Sequence, residues 1–157
     1  MKKTLCVLCA VICLLSLSLS SCSKEDYVDQ IEVGMTWEEY TAIVPEDIRL
    51  DFLNFSCFTA SDGKFVVVKF RNDSPNSVFS VDVVDSAVLT EDSFSRVEKG
   101  MTFLETVKLI GLPREQLQMG VIVVEYDSQD GKKYQVQFEQ GSDDLFELYV
   151  IATTITE

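Results

Sequence analysis

One signature dominates this chain and limits what it can fold into. The stretch EVGMTWEEY, Glu32 to Tyr40, returns as EKGMTFLET, Glu98 to Thr106. Aligned on Gly-Met-Thr, the two halves go on matching. PEDIRLD after Val44 answers PREQLQM after Leu112, SDGKFVVVKF answers QDGKKYQVQF, and SVFSVDVV answers DLFELYVI. The offset is 66 residues at the glycines, 68 at the Asp-Gly-Lys triplets and 67 between Phe79 and Phe146, a drift that length changes in turns would produce. Self-similarity at such a period marks a duplicated supersecondary unit. The expected division is a leader over 1–21, a tether over 22–30, one unit over 31–95 and a second over 96–157.

Each landmark has a mechanical reason. Thr36 and Thr102 stand three positions before Glu39 and Glu105, the spacing at which threonine accepts an orphan helix N–H and glutamate reaches back. The acid also lies at the positive end of the helix dipole. Met35 and Met101 can staple onto the first turn, and Gly34 and Gly100 permit the positive φ of a tight turn before the cap. Trp37, Tyr40, Ile43 and Val44 recur at helical spacing, as do Phe103, Val107 and Ile110 with Leu104 beside them, so each helix needs one buried face. Pro45 and Gly111-Leu112-Pro113 end these helices, and the acids that follow predict a second short helix in each copy.

Strands follow. Asp62-Gly63 and Asp130-Gly131 are hairpin dipeptides. Val66, Val68 and Phe70 are expected inward, matched by Tyr134, Val136 and Phe138. Phe79, Val81 and Val83 are likewise expected inward, matched by Phe146, Leu148 and Val150, and Ile122, Val124 and Tyr126 are inward. DFLNFSCF carries aromatics on both faces, which leaves its register open. The opposite face is more polar, with Phe65, Val67, Lys69, Val78, Ser80 and Asp82 in one copy and Lys133, Gln135, Gln137, Leu145, Glu147 and Tyr149 in the other. The fold class expected is α+β, two tandem helix-loop-helix plus antiparallel-sheet units forming one continuous sheet with helices on one face.

The first residues, MKKTLCVLCAVICLLSLSLSSC, give a basic start, an apolar run and small residues, as in a secretory leader. LSSC, Leu19 to Cys22, resembles the lipobox of bacterial lipoproteins, which implies that Cys22 becomes the first residue and carries the lipid. Several acyl chains hold a protein on a bilayer where one is marginal. Ser23-Lys24-Glu25-Asp26 resembles the acidic export signal of surface-exposed lipoproteins, which favours the surface, although a flexible tether also contains such charge. The expected location is therefore the outer membrane, lipid-anchored and periplasmic or surface-exposed. Of five cysteines, Cys6, Cys9 and Cys13 would leave with the leader. Cys57 then stands alone, which rules out an intramolecular disulfide.

At this point the pattern resembles the β-lactamase inhibitory protein fold, and its single-unit version the SmpA/OmlA type of outer-membrane lipoprotein. Gly34-Met35-Thr36, the run Gly100 to Val107 and Ile110-Gly111-Leu112-Pro113 carry the resemblance. It implies units joined into one long curved sheet whose concave face grips a partner protein. The inhibitor's repeats carry paired cysteines that Cys57 alone cannot supply, and copy one has Ile43-Val44-Pro45 where a Gly-x-Pro element is expected.

Chemistry is constrained mainly by what the composition lacks. There is no histidine, so histidine-based triads and the common zinc sites have no ligands or base, and Cys57 lacks a partner to make it a thiolate. No phosphate loop or dinucleotide fingerprint is present. The acidic stretches Asp127 to Gly131 and Gly141 to Glu147 could hold calcium but lack the calcium-loop pattern and suit hairpin turns. No metal or cofactor is implied. A formal charge of −13, or −15 once Lys2 and Lys3 are removed, repels nucleic acid and anionic lipid. The same charge serves solubility or attracts a cationic partner. The function expected is that of a lipid-anchored, non-enzymatic protein-binding or scaffold module, held to the membrane through Cys22 and binding another envelope or extracellular protein. The contact residues expected are Lys133, Gln135, Gln137, Glu147 and Tyr149, with Gly34, Thr36, Glu39, Gly100, Thr102 and Glu105 as structural caps. The alternative is an inhibitor-like module that blocks a secreted or envelope hydrolase.

Overall fold

A computed structural model of the chain describes residues 26–71, 76–118, 122–128, 130–141 and 147–156. After a 3₁₀ turn at Val28–Gln30 comes helix α1, Trp37–Ile43, then a second 3₁₀ turn at Glu46–Ile48. Strands β1 (Arg49–Phe52), β2 (Phe55–Thr59), β3 (Phe65–Arg71) and β4 (Ser77–Val84) follow as an antiparallel meander. The second half runs through α2 (Glu91–Ser95), α3 (Phe103–Ile110), β5 (Glu115–Gln118), β6 (Ile122–Asp127), β7 (Lys133–Gln140) and β8 (Leu148–Thr156).

The expected single sheet does not form. The strands make two four-stranded sheets, β1-β2-β3-β4 and β5-β6-β7-β8, and the molecule is β-rich with few short helices rather than α+β with helices on one face. The reason lies in α3. Phe103 meets Phe52 and Phe55 of the first sheet at 5.0 and 5.4 Å between ring centroids, and Phe138 of the second at 5.5 Å. The helix is therefore held between the sheets, and one core contains Cys57 and Val67 together with Val107, Ile110, Tyr126 and Val136. Helix α1 covers the other face of the first sheet, packing Tyr40 and Val44 with Phe58, Val66, Val68, Phe70 and Val78. The layers thus run α1, first sheet, α3, second sheet.

Composition at equivalent positions follows this order. Where α3 carries Leu104 and Val107, α1 carries Glu38 and Thr41. The inner helix is apolar enough to be covered on two sides, and the outer one keeps a polar back. The first sheet is likewise buried on both faces, Val66, Val67 and Val68 all fully so. The second alternates, its β7 burying Tyr134, Val136 and Phe138 and leaving the residues between them at least partly exposed. Phe65, Val67, Lys69 and Val78, expected on an open face, are thus covered, Val67 and Val78 fully and Lys69 nearly so.

Two further expectations need correction. Copy one has its second short helix, the turn at Glu46–Ile48, but in copy two the residues after Pro113 form β5 instead. In β4 a bulge pairs Lys69 with Ser80 and Phe70 with Val78, so Val78 turns into the core, and Phe79 and Val83, both expected inward, are left 41% and 45% exposed. A bulge at the same place pairs Gln137 with Ala152 and Phe138 with Val150. The structural equivalent of Val78 is therefore Val150. The second hairpin is four residues longer than the first, and Phe79 does not correspond to Phe146. Phe146 and Leu145 lie outside the described residues. The open register of DFLNFSCF resolves with Phe55 opposite Lys69 and Cys57 opposite Val67, facing α3.

Candidate functional site

The capping residues sit where their spacing requires. Thr36 accepts from the Glu39 N–H at 3.2 Å while the Thr36 N–H donates to the Glu39 carboxylate at 2.9 Å, and Thr102 and Glu105 repeat this at 3.1 and 2.8 Å. These bonds hold both glutamates below the usual carboxylate range. Gly34 and Gly100 have φ of 95° and 91°. The motif also does something that spacing does not reveal. The Gly34 N–H donates to the Val78 carbonyl at 2.8 Å and the Val78 N–H to the Met35 carbonyl at 2.7 Å; Gly100, Met101 and Val150 do the same at 2.8 Å each. Gly-Met-Thr is thus a short strand addition that clamps the outer edge of β4 and of β8. The missing signal was the partner's position, set by the bulges.

The outer face of the second sheet is built on β6, β7 and β8. Lys133, Gln135 and Gln137 alternate with the buried Tyr134, Val136 and Phe138 and point away from the core. The register sets Gln135 opposite Glu125, Lys133 opposite Asp127 and Gln137 opposite Val123, and Tyr149 faces Glu139. Glu115 and Glu125 stand directly across from one another, a like-charge opposition that needs cations nearby. They are at hand. Lys133 Nζ lies 2.9 Å from Glu125, and the Gln135 amide donates to the same carboxylate at 3.2 Å. Arg114 spans Glu115 at 2.9 Å and Asp127 at 3.1 Å. Glu125 is almost fully covered by its neighbours, and Lys133 and Gln135 hold its carboxyl below the ordinary range.

Four of the five expected contact residues, Lys133, Gln135, Gln137 and Tyr149, share this face, all at least partly exposed. Glu147 does not join them. Its carboxylate lies 2.6 Å from Lys69 Nζ in an ion pair between the two halves, with 13% and 11% of the side chains exposed. Arg114 and Glu125 are members of the face that the repeat pattern did not single out. Among the other sequence candidates, Cys57 is buried, with its thiol pushed up by burial. Asp127 is paired with Arg114, and Asp130 accepts from the Lys132 N–H, the Tyr134 hydroxyl and the Ser128 hydroxyl. Among the described residues no group of three or more potential metal ligands converges. Cys22, with the rest of 1–25, and 142–146 lie outside the described residues.

Chemically, this face offers amides, a phenol ring and ion pairs already matched in sign. Glu125, with its pKa lowered, is a poor proton donor at neutral pH. Such a surface can hydrogen-bond to and stack on a partner. Among models of known protein families none matches the chain, and no curated protein matches it at a significant level.

Proposed function

We propose that this chain is a lipid-anchored cell-envelope protein acting as a non-enzymatic protein-binding or scaffold module through the outer face of its second sheet. One observation carries the reading. Of the two sheets, the first has both faces packed, whereas the second keeps one face of Gln135, Gln137, Lys133 and Tyr149 that no described element covers. Anchoring through Cys22 rests on the leader and the LSSC stretch. The kinship suggested by the two Gly-Met-Thr helices also favours a binding role. The inhibitor-like alternative loses its main geometric support, because a single curved sheet gripping a partner is not what the two sheets form.

The test has two parts. Cys22→Ala should move the protein from the membrane to the soluble fraction, and retention in the membrane defeats the anchor. Gln137→Ala with Tyr149→Ala should abolish cross-linking to the protein's envelope partner while leaving the melting curve unchanged. Undiminished cross-linking removes the binding face.

A further inference from the structure

Two four-stranded sheets have four edges, and three are blunted in ways that discourage strand addition. Strand β1 is four residues long and carries the Arg49–Asp51 ion pair at 2.7 Å. Strand β5 is equally short, begins at Glu115 and is interrupted by a bulge. Strand β4 is clamped at Val78 by Gly34 and Met35, as β8 is by the second motif, but past that clamp it carries Asp82. The fourth, β8, is different. It is the longest strand at nine residues, LYVIATTIT, with no charge and no proline, and its last five residues, Ala152 to Thr156, are all exposed. Ile155 stands 45% exposed opposite the fully buried Tyr134.

This edge already accepts strand addition. Gly100 and Met101 occupy it at Val150 through two backbone hydrogen bonds, and Thr102 bridges Tyr149 in antiparallel sense. Past Val150 no described strand continues the ladder. We infer that the β8 edge from Ala152 to Thr156 receives an extended, β-branched, non-acidic segment of a partner protein as a ninth strand, continuing the line begun by Gly-Met-Thr. The inference rests on the binding role proposed above and names its locus and the form of the partner. A second copy of this chain fits poorly. Five residues run only about 17 Å, too little frontage for the roughly 800 Å² per partner of a stable interface, and two copies each carry a formal charge of −13. An extended segment needs only the main-chain ladder and alternate side-chain contacts. The outer face, with Tyr149 on the same strand, takes whatever flanks it.

The test uses the full-length protein in detergent and, as probe, a lysine-flanked Thr-Val-Thr-Ile-Thr peptide, with the same peptide carrying a central proline as control. The probe should slow amide hydrogen exchange across 152–156 at least tenfold, and the control should not. Thr153→Lys should remove that protection with an unchanged melting temperature, whereas Thr41→Val, on the polar back of α1, should retain it. Equal exchange with and without probe overturns the edge site. If partner cross-linking is still lost in the Gln137 and Tyr149 variants, the face reading survives that failure. A dimer in sedimentation that Thr153→Lys dissociates overturns the inference in favour of a second copy.

Discussion

Gly111 and Gly100 share a φ of 91°, yet they are not equivalent. A Cβ on Gly100 meets nothing within 4 Å, whereas on Gly111 it would lie 2.9 Å from the Ala87 carbonyl and 3.3 Å from the Phe65 ring. Gly100→Ala should cost about 1–2 kcal/mol of backbone strain. Gly111→Ala should cost clearly more, because it adds a clash with main chain at the junction of the halves; denaturant melts of the two variants measure the gap. Electrostatics at residue scale gives a second outcome. Lys133 and Gln135 lower the Glu125 pKa, so their bonds contribute stability above the ordinary carboxyl range, about pH 4.3. That contribution is lost as pH falls through the lowered value. Lys133→Ala should move the Glu125 titration midpoint upward and shift acid unfolding to higher pH, both readable by NMR. The caps were legible in the spacing of Thr36 and Glu39 because a capping box is local. Arg114 and Glu125 were not, because their meeting depends on strand register.

At the scale of elements, the two capped helices diverge according to what covers them. Helix α3 sits between sheets with Phe103 and Val107 fully buried, and α1 faces one sheet only. Val107→Thr, which copies the residue α1 has at that place, puts an extra hydroxyl into the shared core. It should cost about 1–2 kcal/mol. Leu104→Glu, copying Glu38, should cost more than Thr41→Val, which should be nearly neutral; thermal melts of the three rank them. This asymmetry was visible in FLETVKLI against WEEYTAI and in FVVVKF against KYQVQF. A helix or strand apolar on both sides needs two partners. The repeat pattern drew attention to what the copies share, whereas the architecture is decided by where they differ.

For the whole molecule, the consequence is that the halves are not independent. Among the described residues, Phe52, Phe55, Cys57 and Val67 of the first sheet find their cover in α3 and its neighbours. The Lys69–Glu147 pair adds a charge contact across the same junction. Thermal unfolding should therefore show one cooperative transition by both near- and far-UV circular dichroism. A fragment ending at residue 95 should fail to fold or should aggregate, since it exposes an aromatic sheet face. Two separated transitions, or a well-dispersed NMR spectrum of the fragment, would contradict a shared core.

Local chemistry settled much in advance. Both capping boxes, the positive-φ glycines at the hairpins and the inward sets Val66, Val68, Phe70 and Tyr134, Val136, Phe138 all depend on residues a few positions apart, and helical or strand periodicity carries that information. What only the tertiary structure decided was how the copies join. Two sheets with a helix between them, a bulge that turns Val78 and Val150 inward, Glu147 drawn to Lys69 and the Gly-Met-Thr clamp on the sheet edges all arise from contacts between residues distant in sequence. Periodicity says that a face is apolar, and it does not say which other face will cover it.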